Sequence, residues 1–98
     1  MTPKLTVHPA ARTDIAEAAQ WYETQRSTLG VGFLDELDRL LARIADNPLQ
    51  SPVVQTGVRR GLLRRFPFAV YFLAQKGHVE VIAVLHLRRK PGMWETRG

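Results

Sequence analysis

Apolar residues recur at helical spacing in two segments of the first half of the chain, and these segments predict two helices. The first runs from Pro9 to about Gln25, because proline suits the first turn of a helix, where its missing N–H is not needed. The second follows a glycine-containing break, Ser27 to Gly32, and ends at Asn47-Pro48, because proline disfavours a helical conformation in the preceding residue. Its apolar stripe comprises Phe33, Leu34, Leu37, Leu40, Leu41 and Ile44. Two helices with a short connection predict an αα-hairpin.

Helix geometry predicts the environment of two groups of side chains. Trp21 and Tyr22 are adjacent, so their side chains point about 100° apart, and we expect one to pack inward and the other to lie near an edge or interface. Asp35, Glu36 and Asp38 are assigned to the polar, solvated face of the second helix.

The second half of the chain predicts strands. About Ala69 to Ala74 and Val79 to His86 are apolar, β-branched and aromatic, and Gly77 in the turn between them can take the positive φ of a tight hairpin. Both alternating faces of the second run are largely apolar, which predicts a central strand covered on both sides.

Three shorter segments complete the expected fold. Lys4 to His8 alternates apolar and polar residues and predicts a strand, and another is expected to start near Val58 and to be interrupted at Phe66-Pro67-Phe68. Leu49 to Gly57 is expected to be a loop. The predicted order is β-α-α-β-β-β, an α+β class in which a helical hairpin packs on a small, mostly antiparallel sheet.

Length and composition narrow the class further. Ninety-eight residues make a single domain, 1–98, with no cysteine for disulfides or thiolate metal sites. No apolar run approaches the length of a membrane span and the N-terminus lacks a signal-peptide core, so we expect a cytoplasmic protein without membrane contact.

Residues 1–57 hold five Lys/Arg against seven Asp/Glu, whereas residues 58–98 hold nine against two. This asymmetry indicates a nucleic-acid or acidic-protein partner, with a solvated basic face as the alternative.

The candidate chemistry is confined to basic residues. The three histidines are scattered, no phosphate loop or dinucleotide fingerprint is present, and no serine has a nucleophile-elbow context, so no metal or cofactor is expected. The remaining cationic residues are Arg59, Arg60, Arg64, Arg65, Arg88, Arg89, Lys90 and Arg97. Because strand side chains alternate between faces, we expect Arg64 and Arg65 to point apart, one of them beside the helices. Such a surface could promote RNA cleavage in which the 2′-hydroxyl of the RNA is the nucleophile. It could also bind nucleic acid or an acidic protein without any chemistry.

Several segments, taken in order, resemble the RelE/ParE toxin superfamily of bacterial type II toxin–antitoxin systems, and ParE-type members in particular. The segments are Ala10 to Ile15, Trp21-Tyr22, Gly32-Phe33 to Asn47-Pro48, Leu62 to Phe72, Val81 to His86, and Arg88 to Pro91 with Trp94. The resemblance implies a small cytoplasmic toxin neutralised by an antitoxin, with operator DNA contacted only indirectly through that antitoxin. RelE-like members cleave mRNA on the ribosome, whereas ParE-like members poison DNA gyrase without hydrolytic chemistry.

The residues at the family's catalytic positions favour the gyrase interpretation. RNA-cleaving relatives carry an arginine just before the Val-Tyr strand and a tyrosine near the C-terminus. By motif, these positions fall on Phe68 and Trp94 here. Phe68 carries no charge, and the Trp94 indole cannot transfer a proton as a phenol can. Of the three catalytic positions, only the arginine at the end of the last strand is kept, as Arg88. If the chain were a nuclease, Arg88 with Arg64, Arg65 or Lys90 would be the candidates.

Two binding surfaces follow from this interpretation. Target binding is assigned to the basic hairpin and the C-terminal segment, that is to Arg59, Arg60, Arg64, Arg65, Arg88, Arg89 and Trp94. Antitoxin binding is assigned to Trp21, Tyr22 and Leu29, where an acidic, amphipathic segment could fold as it binds. A degenerate, non-toxic binding module is the third alternative.

Overall fold

In the computed structural model, which describes residues 3–88, two helices follow a short first strand and precede four further strands. The elements are β1 (Lys4–Val7), α1 (Pro9–Gln25), α2 (Leu29–Asp46), a short 3-10 helix (Pro48–Gln50), β2 (Val53–Gln55), β3 (Val58–Leu62), β4 (Phe68–Gln75) and β5 (His78–His86). The α+β class and the helical hairpin are confirmed.

The strands form one sheet in the order β1-β5-β4-β3-β2. β1 lies parallel to β5 and the other neighbours are antiparallel, as the prediction of a mostly antiparallel sheet requires. Lys76 and Gly77 form the turn between β4 and β5, and Gly77 has a φ of 72°, a region that glycine enters at little cost. β5 lies between β1 and β4 with most of its residues buried, so the prediction of a central strand is confirmed.

The main core lies between the helices and one face of the sheet. Its buried members are Ala11, Ala18, Tyr22, Phe33, Leu37, Leu40, Ile44, Leu63, Phe66, Val70, Phe72, Val79, Val81 and Val84. A second buried cluster consists of Val58, Ala69, Tyr71, Ile82, Ala83 and Leu85. Alternation along β3 and β4 places Val58, Ala69 and Tyr71 on the other face of the sheet, and a register shift in β5 between Val81 and Ala83 lets the adjacent Ile82 and Ala83 both join them. Both faces of β5 are therefore apolar.

The beginning of α2 corrects the predicted break at Ser27 to Gly32. The helix starts at Leu29, and the Glu23 carboxylate of α1 accepts hydrogen bonds from the Thr28 N–H at 2.9 Å and the Gly30 N–H at 3.0 Å. A carboxylate there satisfies amides that lack an intrahelical partner and complements the helix dipole. A Cβ on Gly30 would lie 2.5 Å from the Ala19 carbonyl oxygen, so glycine permits the close approach of the two helices.

Two predictions in the second half were wrong. The segment predicted as a loop, Leu49 to Gly57, contains part of the 3-10 helix and strand β2, whose turn to β3 is made with Gly57 at a φ of 73°. Arg64 and Arg65 lie in a bend after β3 and not on a strand, so strand alternation does not set their directions. Within residues 3–88, no helix is long and apolar enough to cross a membrane.

Candidate functional site

An aromatic cluster joins both helices to one end of the sheet. Tyr22 contacts Phe33 in a stacked arrangement at 5.5 Å between ring centroids and Phe66 edge-to-face at 4.8 Å. Phe68 continues the cluster to Phe33 at 5.2 Å and to the His86 ring at 5.3 Å. Aromatic pairs at these distances stabilise the fold beyond their buried area, so the segment around Phe66 is firmly placed.

A groove of about 490 Å³ opens beside this cluster, between α1 and the last residues of β5. We call it the aromatic groove. It is lined by Asp14, Glu17, Ala18, Trp21, Tyr22, Pro67, Phe68, Val84, Leu85 and His86. Trp21 is 58% exposed and meets Tyr22 edge-to-face at 5.0 Å, so the indole forms an exposed wall of the groove.

One wall of the aromatic groove is a part of β5 that extends past β1. The pairing of β1 ends at Val7 with Val81, and further along β5 the Asp14 carboxylate of α1 accepts a hydrogen bond from the Val84 N–H at 3.0 Å. That bond satisfies an edge amide and ties α1 to the sheet. It fixes the width of the groove at this point.

A buried carboxylate of α2 holds the bend that carries Arg64 and Arg65. Glu36 is 6% exposed, and its Oε2 accepts hydrogen bonds from the Arg64 N–H and from the Arg65 N–H, the latter at 3.1 Å. The Arg65 guanidinium donates from Nε to Oε1 at 3.2 Å. We call these contacts the Glu36 latch. The prediction that Glu36 belongs to a solvated face was wrong, whereas Asp35 and Asp38 are exposed as expected.

The latch sets the protonation of Glu36. Burial raises the pKa of its carboxyl, but the hydrogen bonds from the Arg65 and Arg64 amides and the charged Arg65 side chain outweigh this, so the net pKa lies below its ordinary value of 4.5. The carboxylate is therefore ionised near neutral pH. Burial also raises the pKa of the Tyr22 phenol, which stays neutral there.

Three of the predicted cationic residues lie at the same end of the sheet. Arg64 and Arg65 are exposed in the bend, and Arg88 is exposed just after β5. The Leu87 N–H donates to the Pro67 carbonyl at 2.8 Å, which brings the end of β5 beside the bend. Its contact with Glu36 places Arg65 beside the helices, as was predicted for one of the two residues Arg64 and Arg65. The Arg65 guanidinium is 5.9 Å from the Phe66 ring centroid.

The two other predicted target-binding arginines within residues 3–88, Arg59 and Arg60, have different environments. The Arg59 guanidinium donates to the Ser51 carbonyl at 2.6 Å and to the Leu49 carbonyl at 3.3 Å, so it fastens the loop before β2. Arg60 is half-buried, and its Nε is buried without a hydrogen-bond partner within residues 3–88. Both residues belong to β3, whereas Arg64 and Arg65 follow that strand in the bend.

The remaining predicted site residues divide between surface and core. Trp21 is exposed and Leu29 is half-buried, whereas Tyr22 is 8% exposed and belongs to the core although it lines the aromatic groove. This is the division expected for adjacent helical residues. Arg89, Lys90, Trp94 and Arg97 lie outside the described residues.

This end of the sheet presents exposed guanidiniums beside the aromatic groove. Phe68 is packed among aromatic rings, and the Arg88 N–H donates to His86 Nδ1 at 3.1 Å, so that histidine accepts a backbone hydrogen bond in the turn after β5. Among residues 3–88, no three His, Asp or Glu side chains converge as metal ligands would. The exposed guanidiniums and the aromatic groove can bind anions and apolar segments, respectively.

Sequence reasoning missed Glu36 and Asp14 as structural ties. Glu36 lies three residues after Phe33 and four before Leu40, a spacing that places it on the edge of the apolar stripe. That position was the available signal for a buried carboxylate. Asp14 had no comparable signal, because its partner Val84 is 70 residues away.

Comparisons with known proteins define first the fold and then the family. The chain shares its fold with a solved structure, "Chromosomal ParDE TA system from P. aeruginosa", at a TM-score of 0.77 and 16% sequence identity, over 87% of this chain and 96% of that one. The model of the family "ParE toxin of type II toxin-antitoxin system, parDE" matches residues 5–91. The chain belongs to this ParE toxin family, as the sequence motifs indicated. Comparison with curated proteins found no match.

Proposed function

We propose that this protein is a cytoplasmic toxin that poisons DNA gyrase and is neutralised by a cognate acidic antitoxin. The observation that carries the proposal is membership of the ParE toxin family across residues 5–91. ParE-like relatives, as the sequence resemblance implies, act on gyrase without hydrolytic chemistry.

The environment of Phe68 supports binding over RNA cleavage. An RNA-cleaving relative would carry an arginine at this position, where it could stabilise a phosphate. Here the residue is an aromatic side chain packed against Phe33 and His86. The neighbouring Arg65 guanidinium pairs with Glu36 while its side chain stays 68% exposed, so a partner can contact it.

The aromatic groove supports an antitoxin contact. Trp21 presents a large exposed aromatic surface beside a concave, mainly apolar wall, and such side chains are the usual anchors of protein interfaces. An amphipathic antitoxin segment could place apolar side chains there while its acidic residues approach the arginines of the second half.

The gyrase proposal is tested with purified toxin, gyrase and supercoiled plasmid. We expect cleaved DNA–gyrase complexes to accumulate, and we expect prior addition of the antitoxin to prevent this. Arg88→Glu should weaken the effect, because it reverses an exposed charge at the proposed target surface, whereas Arg39→Glu makes the same charge change on the exposed side of α2.

Three results would contradict the proposal. Absence of cleaved complexes and of inhibition at micromolar toxin excludes gyrase as the target. Codon-register cuts in translated mRNA, mapped by primer extension, would instead identify a ribosome-dependent endonuclease. If induced expression without the antitoxin leaves growth unchanged, the chain is a binding module without toxicity.

A further inference from the structure

Helix α1 carries negative charge in a chain whose net charge is positive. Between Pro9 and Gln25 it holds one Arg against three Asp/Glu, whereas the whole chain has a net charge of +5. Two of its carboxylates, those of Asp14 and Glu17, line the aromatic groove. The groove proposed to receive an acidic antitoxin therefore presents acidic groups of its own.

Helix geometry brings these carboxylates to the same side of α1 as Trp21. Glu17 lies four residues before Trp21 and Asp14 seven residues before it, so the three side chains lie within about 60° of one another around the helix axis. Asp14 is half-buried and accepts a hydrogen bond from the Val84 N–H, whereas Glu17 is exposed. No Lys or Arg within residues 3–88 forms an ion pair with Glu17.

The Trp21 indole has π-surface open to a partner. Tyr22 contacts it edge-to-face at 5.0 Å between ring centroids, and Trp21 remains 58% exposed. A Lys or Arg cation is attracted to the face of an aromatic ring, and most strongly to that of tryptophan. The Glu17 carboxylate, one helical turn away, can pair with the same cation. Together these two groups favour a positively charged side chain.

The rest of the lining decides which kind of side chain fits. Ala18, Phe68 and Val84 supply apolar surface. A purely apolar ligand would cover Glu17 and leave its carboxylate without a partner, which is costly, and an acidic side chain would be repelled by it. Lys and Arg avoid both penalties, because their aliphatic stems cover apolar surface while the charged head stays at the rim.

We propose that the aromatic groove receives a basic side chain of the antitoxin, with its cation against Trp21 and Glu17. The inference rests on the proposed function and deepens it, because the antitoxin is the partner named there. Arg64 and Arg65 lie in the bend that leads to Pro67, a residue of the groove wall. An acidic segment that also places one cation in the groove matches this order of charges in a single orientation, so the groove sets the direction of the antitoxin along the toxin.

The test compares two toxin variants that each raise the net charge by one. Each variant is mixed with the small acidic protein encoded beside the toxin gene, and the association and dissociation rates are measured. Glu17→Gln should weaken binding about threefold or more through faster dissociation, because the cation loses its carboxylate. Gln20→Lys makes the same charge change at an exposed position of α1 outside the groove, so binding to an acidic protein should be unchanged or tighter.

A double variant tests whether one cation contacts both groups. Trp21→Leu keeps an apolar side chain and removes the indole, so it should weaken binding about fivefold or more. Because the same cation contacts both side chains, Glu17→Gln should add little to the loss already caused by Trp21→Leu. Thermal unfolding of the variants should match that of the wild type, because both positions are exposed.

The inference fails on any of three results. Wild-type or tighter binding in Glu17→Gln, as in Gln20→Lys, would show that no cation is held there and would leave the proposed function intact. Losses that multiply in the double variant would place the cation away from Trp21. Weaker action on gyrase in Glu17→Gln, with antitoxin binding unchanged, would assign the groove to the target. Failure of the wild-type chain to bind the antitoxin would instead contradict the proposed function itself.

Discussion

The Glu36 carboxylate organises the bend between β3 and β4 at the level of a single residue. It satisfies two consecutive backbone amides, those of Arg64 and Arg65, that would otherwise lie partly buried without partners. It also holds the Arg65 side chain, which is 68% exposed, so the ion pair itself contributes little. The stabilising part of the latch is the pair of charge-assisted hydrogen bonds to the backbone.

Replacing Glu36 by alanine should therefore destabilise the fold. We expect Glu36→Ala to lower the free energy of unfolding by roughly 1–3 kcal/mol, because two amides lose their acceptor. Asp38→Ala, an exposed position on the same helix, should change it by less than about 0.5 kcal/mol. Urea unfolding at neutral pH measures both values. Equal effects of the two substitutions would rule out the latch as a stabilising contact.

The lowered pKa of Glu36 makes this contribution depend on pH. A carboxyl whose pKa is lower in the folded state than in the unfolded state stabilises the protein at pH values above its unfolded-state pKa. This contribution is lost as the pH falls through the folded-state pKa. The difference in unfolding free energy between the wild type and Glu36→Gln should thus shrink between about pH 6 and about pH 3. A difference that stays constant over this range would show that the charge of Glu36 does not contribute.

At the scale of elements, the helical hairpin depends on one close approach. Glu23 of α1 accepts from the amides that begin α2, and Gly30 lets the helices meet at Ala19. Thr28, which precedes α2 with a φ of 71°, makes no side-chain capping bond, so the Glu23 carboxylate takes the place of a local cap.

Two glycines of α2 should accordingly respond in opposite directions to alanine. Gly30→Ala should destabilise the protein by about 1–3 kcal/mol, because its Cβ would overlap the Ala19 carbonyl. A Cβ on Gly32 would meet no atom within 4 Å. Gly32→Ala should therefore stabilise the protein by up to about 1 kcal/mol through helix propensity. Thermal unfolding of the pair checks this, and destabilisation of similar size in both would contradict the close-approach argument.

At the scale of the whole molecule, exposed aromatic and basic surfaces lie at one end of the sheet. The aromatic groove lies between α1 and β5, and the exposed Arg64 and Arg65 lie in the bend between β3 and β4 that leads into its wall at Pro67. A partner that covers both surfaces must follow this end of the sheet, which suits a segment that folds on binding better than a compact domain.

Trp21 should be an anchor for the antitoxin and contribute little to stability. We expect Trp21→Ala to weaken antitoxin binding by about tenfold or more, because it removes an exposed aromatic wall of the aromatic groove. Gln20→Ala, the preceding exposed residue of α1, is the matched control and should leave affinity unchanged. Wild-type affinity in Trp21→Ala would remove the aromatic groove from the interface.

Charge should act mainly on the rate at which the complex forms. The surplus of cations in residues 58–98 faces an antitoxin expected to be acidic, so salt screens the encounter more than the final contacts. Raising salt should slow association more than it speeds dissociation, as stopped-flow mixing can measure. A salt effect confined to dissociation would place the charge pairs inside the buried interface.

Local pattern determined the helices, the hairpin of β4 and β5, and the family motifs, because helical and strand periodicity are encoded in neighbouring residues. The tight turn at Gly77 and the division of Trp21 and Tyr22 between surface and core were predictable for the same reason, but not which of the two points outward. Only the tertiary structure decided what Glu36 and Asp14 bind, since their partners lie 28 to 70 residues away along the chain. It also decided which arginines lie together, because Arg64 and Arg65 come near Arg88 only where the Leu87 N–H donates to the Pro67 carbonyl.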